Sequence, residues 1–205
     1  SNQGNNNTGV GALSLFANTT GSSNVAVGTN ALKLNTTGIY NTALGQNALD
    51  ANTTASYNTA IGRVSLSSNT TGANNTAVGY FSLYANTTGG NNTALGTCSL
   101  NANTTGASNV GIGYLALDTN TTGASNVGVG RAALLCNSTG SSNTAVGQEA
   151  LCSNTAGNNS AFGYQSLKCS TSGTSNTAIG YSALLENTAS DNTAVGYQSL
   201  NSNTT

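Results

Sequence analysis

A glycine recurs every 17 residues along this chain: Gly11, Gly28, Gly45, Gly62, Gly79, Gly96, Gly113, Gly130 and Gly147. Gly163, Gly180 and Gly196 continue the column after steps of 16, 17 and 16. A short fixed period makes each unit one turn of an array, because no single unit can bury a core alone. The question of function changes with it. A repetitive rod is asked what it carries or contacts, not where its active site lies.

The unit reads NTAVGxxALxxNTTGxx. One asparagine column runs through Asn7, Asn24, Asn41 and on to Asn192, and a leucine column from Leu15 to Leu200. A second asparagine column runs from Asn18 to Asn154 and resumes at Asn187 and Asn203, broken once by Ser170. Both 16-residue steps shorten the TTGxx segment, between Asn154 and Asn159 and between Asn187 and Asn192. A segment that loses a residue without disturbing its neighbours is a surface turn.

Gly, Asn and Thr at fixed places in every unit disfavour helix. Thr/Val, then Ala/Gly, then Val/Ile/Leu has the period of two of a short strand ended by the glycine. The ALxx piece reads as a second strand with Leu on one face, and NTTG as a turn. The predicted fold is all-β: a parallel β-solenoid or β-roll of about twelve 17-residue coils spanning residues 1–205 as a single array. Coils about 4.8 Å apart would make a rod on the order of 55–60 Å.

Charges mark the expected outer side. Arg63 and Arg131 follow the glycine column, and Lys33, Asp50, Asp118 and Lys168 follow the leucine column. None enters the Val or Leu columns, so these are predicted to form the interior, since a buried unpaired charge is expensive. The Ala/Gly column before Val (Ala26, Ala43, Ala60) and the Ala/Ser column before Leu (Ala31, Ser65, Ser99, Ala116) then face outward. Small outward residues let another backbone come close, which predicts side-by-side packing as a trimer. The alternative is that Ala and Ser suit a crowded strand surface.

The string Thr193-Ala194-Val195-Gly196-Tyr197-Gln198-Ser199-Leu200 resembles the repeat region of tail-fibre-domain proteins. It also resembles the head repeats of trimeric autotransporter adhesins, whose unit is shorter. The resemblance covers the whole chain with one motif. It implies a left-handed, trimeric, fibrous β-roll at an extracellular, cell-surface or virion location. The chain accordingly reads as an internal stretch of a longer fibre.

Several functions find no support in composition. The net charge is −1 from four basic and five acidic residues, with no basic stripe for nucleic acid. No apolar run approaches the length of a membrane span. There is no histidine, so a Ser/His or Cys/His pair cannot form within the chain, and no catalytic, cofactor or metal residue is assigned. Cys98, Cys136, Cys152 and Cys169 fit no metal spacing. Cys136 and Cys169 lie two coils apart, too far to bridge. Cys152 sits between them, one slot away, where a bridge to either is conceivable beside the reading that all four fill space.

Three surface activities remain as expectations. NTT or NST sequons at Asn18, Asn35, Asn52, Asn69, Asn86, Asn103, Asn120, Asn137 and Asn203 would set a glycan on each coil if the turn is exposed; the same residues also suit the turn itself. The column Thr19, Thr36, Thr53, Thr70 and Thr87 would order water in an ice-binding reading. The row Tyr80, Tyr114, Tyr164, Tyr181 and Tyr197 would stack on cell-surface sugar or shield the backbone. The favoured reading is a non-catalytic shaft of a surface fibre that self-associates as a homotrimer or larger fibre. The competing one is a β-solenoid module that bears glycan or binds glycan or ice.

Overall fold

The computed structural model describes residues 4–203. Each coil contributes one three-residue strand, from β1 (Thr8–Val10) through β9 (Thr144–Val146), β10 (Ser160–Phe162) and β11 (Thr177–Ile179) to β12 (Thr193–Val195). The twelve strands form one parallel sheet in strict chain order. Register follows the repeat: Thr42 pairs with Thr59, Ala43 with Ala60 and Leu44 with Ile61. The described residues form a parallel β-solenoid, with no helix among them.

The alternation within the strand was predicted, but its two faces are inverted. Ala26, Ala43, Ala60 and Ala77 are wholly buried, whereas the Val/Leu/Ile column points outward, with Leu44 46% and Val195 66% exposed. The Ala/Ser column is interior too: Ala31, Ser65, Ser99 and Ala116 have no exposure. The reason is the width of the coil. A 17-residue loop encloses room for one large side chain per level, and Leu32 through Leu184 take it. Only a methyl or a hydrogen fits opposite, so the strand turns its small residue in. The small columns therefore cannot mediate packing between chains.

The second strand predicted for ALxx is absent from the described residues. Its leucines have φ between 46° and 55°, and the residue two before each is also left-handed, as at Asn30 (58°) and Val64 (53°). A left-handed leucine costs about 1–2 kcal/mol. Full burial of the side chain offsets this, together with a backbone bond to the next coil, as from Leu32 N–H to Ala48 O at 3.0 Å. The segment thus joins coils without forming a strand.

The glycine column is demanded twice over. Its φ values run from 124° to 142°, a region closed to other residues. A Cβ on Gly79 would also lie 2.6 Å from the carbonyl oxygen of Gly96 in the next coil.

Candidate functional site

Two asparagine ladders fill the part of the interior that leucine leaves. In the first, the backbone N–H of each asparagine donates to the side-chain oxygen of its counterpart in the coil before: Asn41 N–H to Asn24 Oδ1 at 2.9 Å and Asn58 N–H to Asn41 Oδ1 at 3.0 Å. Across both shortened turns the ladder continues, through Asn159 to Asn143 Oδ1 and Asn192 to Asn176 Oδ1. In the second, Asn35 Nδ2 donates to Asn18 Oδ1, and Asn52 Nδ2 to Asn35 Oδ1, each at 2.8 Å. Up to Asn187 the two ladders meet within each coil except the one in which Ser170 replaces the second asparagine. Asn24 Nδ2 and Asn35 Nδ2 both donate to Gly38 O, at 2.8 and 3.1 Å, closing the loop from its first residue to its last turn. Amides buried in this way are satisfied on every side, as a buried polar network must be.

This corrects the placement of the sequons. Asn35, Asn52, Asn69, Asn86, Asn103, Asn120 and Asn137 have no solvent exposure, and Asn18 has 5%. Asn203 is half-buried at the end of the described stack, its Nδ2 donating to Asn187 Oδ1. A sugar on Nδ2 would replace an interior donor and would have to pass through the coil wall. In the folded rod the asparagine side chains from Asn18 to Asn137 therefore face the interior and not the solvent. From Asn35 to Asn137 the residue directly after each sequon asparagine is half-buried and the next one is exposed; Thr19, in the first coil, is itself exposed. Thr36, Thr53, Thr70 and Thr87 donate their hydroxyls to the next coil's backbone, at 3.0 to 3.2 Å.

The outer sheet face carries two columns. One is apolar along its whole length, aliphatic but for Phe162, from Val10 through Leu44 and Leu95 to Val146, Phe162, Ile179 and Val195. The other alternates runs of threonine (Thr42, Thr59, Thr76, Thr93) with Val110 and Val127. Beside them, in the slot after the glycine, the tyrosines are exposed as predicted. Tyr164 stacks on Tyr181 at 5.0 Å between ring centroids, and Tyr181 on Tyr197 at 5.3 Å, with planes within 19° of parallel. Their faces are turned to one another, so the row presents ring edges and leaves face-on stacking of a sugar only at its ends. Tyr80 instead meets Phe81 edge-on at 4.4 Å and lies under the Arg63 guanidinium.

Charge gathers at one place. Glu149 Oε1 pairs with Arg131 at 2.9 Å and Oε2 with Lys168 at 2.8 Å, on three consecutive coils. The Lys168 hydrogen bond, helped by one from Gln165, holds the Glu149 carboxyl down at about 2. Elsewhere burial dominates and pushes the carboxyls of Asp50 and Asp118 up. All four cysteines are free thiols, with Cys136 and Cys169 exposed and Cys98 and Cys152 half-buried. Among the described residues there is no pocket, no group of side chains suited to a metal ion, and no helix long and apolar enough to cross a membrane.

Comparison with known protein families, curated proteins and solved structures finds no match for this chain. The resemblance to fibre repeats rests on the repeated motif alone.

Proposed function

We propose that this chain is the shaft of an extracellular or virion surface fibre, non-catalytic, whose copies associate side by side through the outer sheet face. The observation that carries the reading is the apolar column, unbroken from Val10 to Val195, with seven of its twelve side chains exposed and the other five half-buried. A strip about 55 Å long and about 10 Å wide comes to on the order of 500 Å². That is at the upper end of the apolar patches that isolated soluble chains carry. Because the strands are in register, every coil presents the same surface, and a second or third copy aligned along the rod meets it at every level. Homotrimer and larger fibre both satisfy this geometry. Stacked coils supply length and stiffness, and recognition would belong to other parts of the fibre.

The test is the mass of the particle in solution. Light scattering at tens of micromolar is expected to give an oligomer. The triple variant Leu44→Lys, Leu95→Lys and Val146→Lys should give a monomer with an unchanged far-ultraviolet spectrum. A wild-type chain that is monomeric under these conditions overturns the proposal.

One observation favours a second reading, ice or ordered-water binding. Thr42, Thr59, Thr76 and Thr93 stand in register on the outer face of the sheet beside the apolar column, Thr76 exposed and the others half-buried. Thermal hysteresis in the wild-type chain, lost in Thr59→Lys, would support it; its absence would remove it.

A further inference from the structure

Three thiols lie on three consecutive coils, in the outer band just past the leucine column. Cys136 N–H donates to Cys152 O at 2.8 Å, which fixes these two residues as diagonal neighbours on adjacent coils. Such neighbours have Cα atoms about 5–6 Å apart, inside the window for a disulfide. Cys136 and Cys169 are two coils apart and outside it. The electrostatics agree with this closeness: the Cys152 thiol is pushed up by burial first and next by Cys136, with Cys169 a lesser influence.

The same two coils lack a contact found elsewhere. From Asn18 to Asn137 the second asparagine ladder joins each coil to the next. At the shortened turn Asn154 Nδ2 donates to Ala156 O, and Asn137 Oδ1 accepts instead from Asn143 at a long 3.4 Å. In the following coil Ser170 replaces the asparagine, and its buried Oγ has no partner among the described residues. Cys136 adjoins Asn137, and Cys152 lies two residues before Asn154. The thiol pair therefore spans the step at which the amide ladder stops.

We propose that Cys136 and Cys152 form a dithiol site that small disulfides oxidise to an intrachain bridge, joining the coils where the ladder is interrupted. The exposed Cys136 thiolate attacks a disulfide such as oxidised glutathione, breaking its S–S bond and releasing one glutathione thiolate. Cys152 then attacks the Cys136 sulfur of the mixed disulfide and releases the second. One protein disulfide forms, two protein thiols are lost, and their protons end on two glutathione thiols. Cys169 is left as a separate exposed thiol. The site stands independently of the shaft reading.

The test treats the folded chain with oxidised glutathione, caps remaining thiols and digests with trypsin. Cleavage after Arg131 and Lys168 leaves Cys136 and Cys152 together in one peptide, apart from Cys169. The expected product is that peptide two hydrogens lighter, uncapped and without glutathione. Cys169→Ser should leave this unchanged. Oxidised Cys169→Ser should melt on the order of 5–10 °C above its reduced form, and Cys152→Ser should show no such shift. A bridge from Cys152 to Cys169, or glutathione or cap on both Cys136 and Cys152, overturns the proposal.

Discussion

The coils up to Asn137 and those beyond it share a sheet but not an interior. In the first region every turn has the same length and both asparagine ladders run without interruption. In the second, two turns are a residue short; the ladder at the strand entrance continues throughout, while the second is broken after Asn137 and returns only between Asn187 and Asn203. Yet β9 pairs with β10, and β11 with β12, in the register of every other pair. The asparagine clasp adapts: Asn154 and Asn187 reach a carbonyl two residues on, where their counterparts reach three. Strand register and coil closure are thus separable. The strand, the glycine and the first asparagine column set the stacking; the turn and the second column add to it where length permits.

The sharpest test of the shared element is the glycine column. Gly79→Ala and Gly163→Ala should each cost about 3 kcal/mol or more, because both the positive φ and the carbonyl of the next coil reject a Cβ. Equal losses in denaturant unfolding are expected in the two regions. A tolerated Gly163→Ala would mean that the C-terminal coils are not stacked like the rest.

The divided element should answer differently. Asn86→Ala removes a buried amide that donates to Asn69 Oδ1 and Gly89 O and accepts from Asn103 Nδ2; Asn69 Oδ1 loses its donor while Gly89 O keeps Asn75 Nδ2, at a cost of about 2–3 kcal/mol. Asn154→Ala, outside the continuous ladder, should cost less by about 1 kcal/mol. The difference between the two unfolding midpoints is the measurement, and its reversal would break the comparison. In the opposite direction, Ser170→Asn supplies the missing amide. It should stabilise by about 1 kcal/mol and raise amide-exchange protection around residues 154–187.

The smallest effect is electrostatic and confined to the second region. Glu149 titrates at about 2 in the folded chain, below its ordinary 4.5. The stability it contributes is therefore present above about pH 4.5 and is lost as pH falls through 2. Asp50 and Asp118, raised by burial, act in the opposite sense, so the comparison must be with Glu149→Gln. That variant should melt lower than wild type at pH 6, with the gap closing by pH 2.

Period, number of repeats, the first strand of each coil and the tolerant turn were all legible, because each depends on spacing alone; the second strand expected in ALxx is not formed. The outward charges were legible in part: Arg63 and Arg131, after the glycine column, lie exposed, whereas Lys33, Asp50, Asp118 and Lys168, after the leucine column, are half-buried. The inversion of the strand was not. Hydrophobicity places Val27 and Leu44 inside, and nothing local says that the coil is too narrow for them. The asparagines misled for a related reason. Asn35 in NTTG has the composition of an exposed turn, but its partners, Asn18 and Asn52, are each 17 residues away. Nor does a leucine advertise a left-handed backbone. Leu49 adopts one because its N–H must reach Ser65 O while its side chain fills the lumen.

What the sequence determined by itself was the repetition: identical units in line can satisfy one another only by stacking in register, and the glycine column marks every level. What only the tertiary structure decided was inside and outside. Closing a chain of 17 residues on itself sets a lumen of one leucine, two amides and little more. That volume sends alanine in, leaves valine in water, and converts what reads as a surface turn into the buried clasp of each coil.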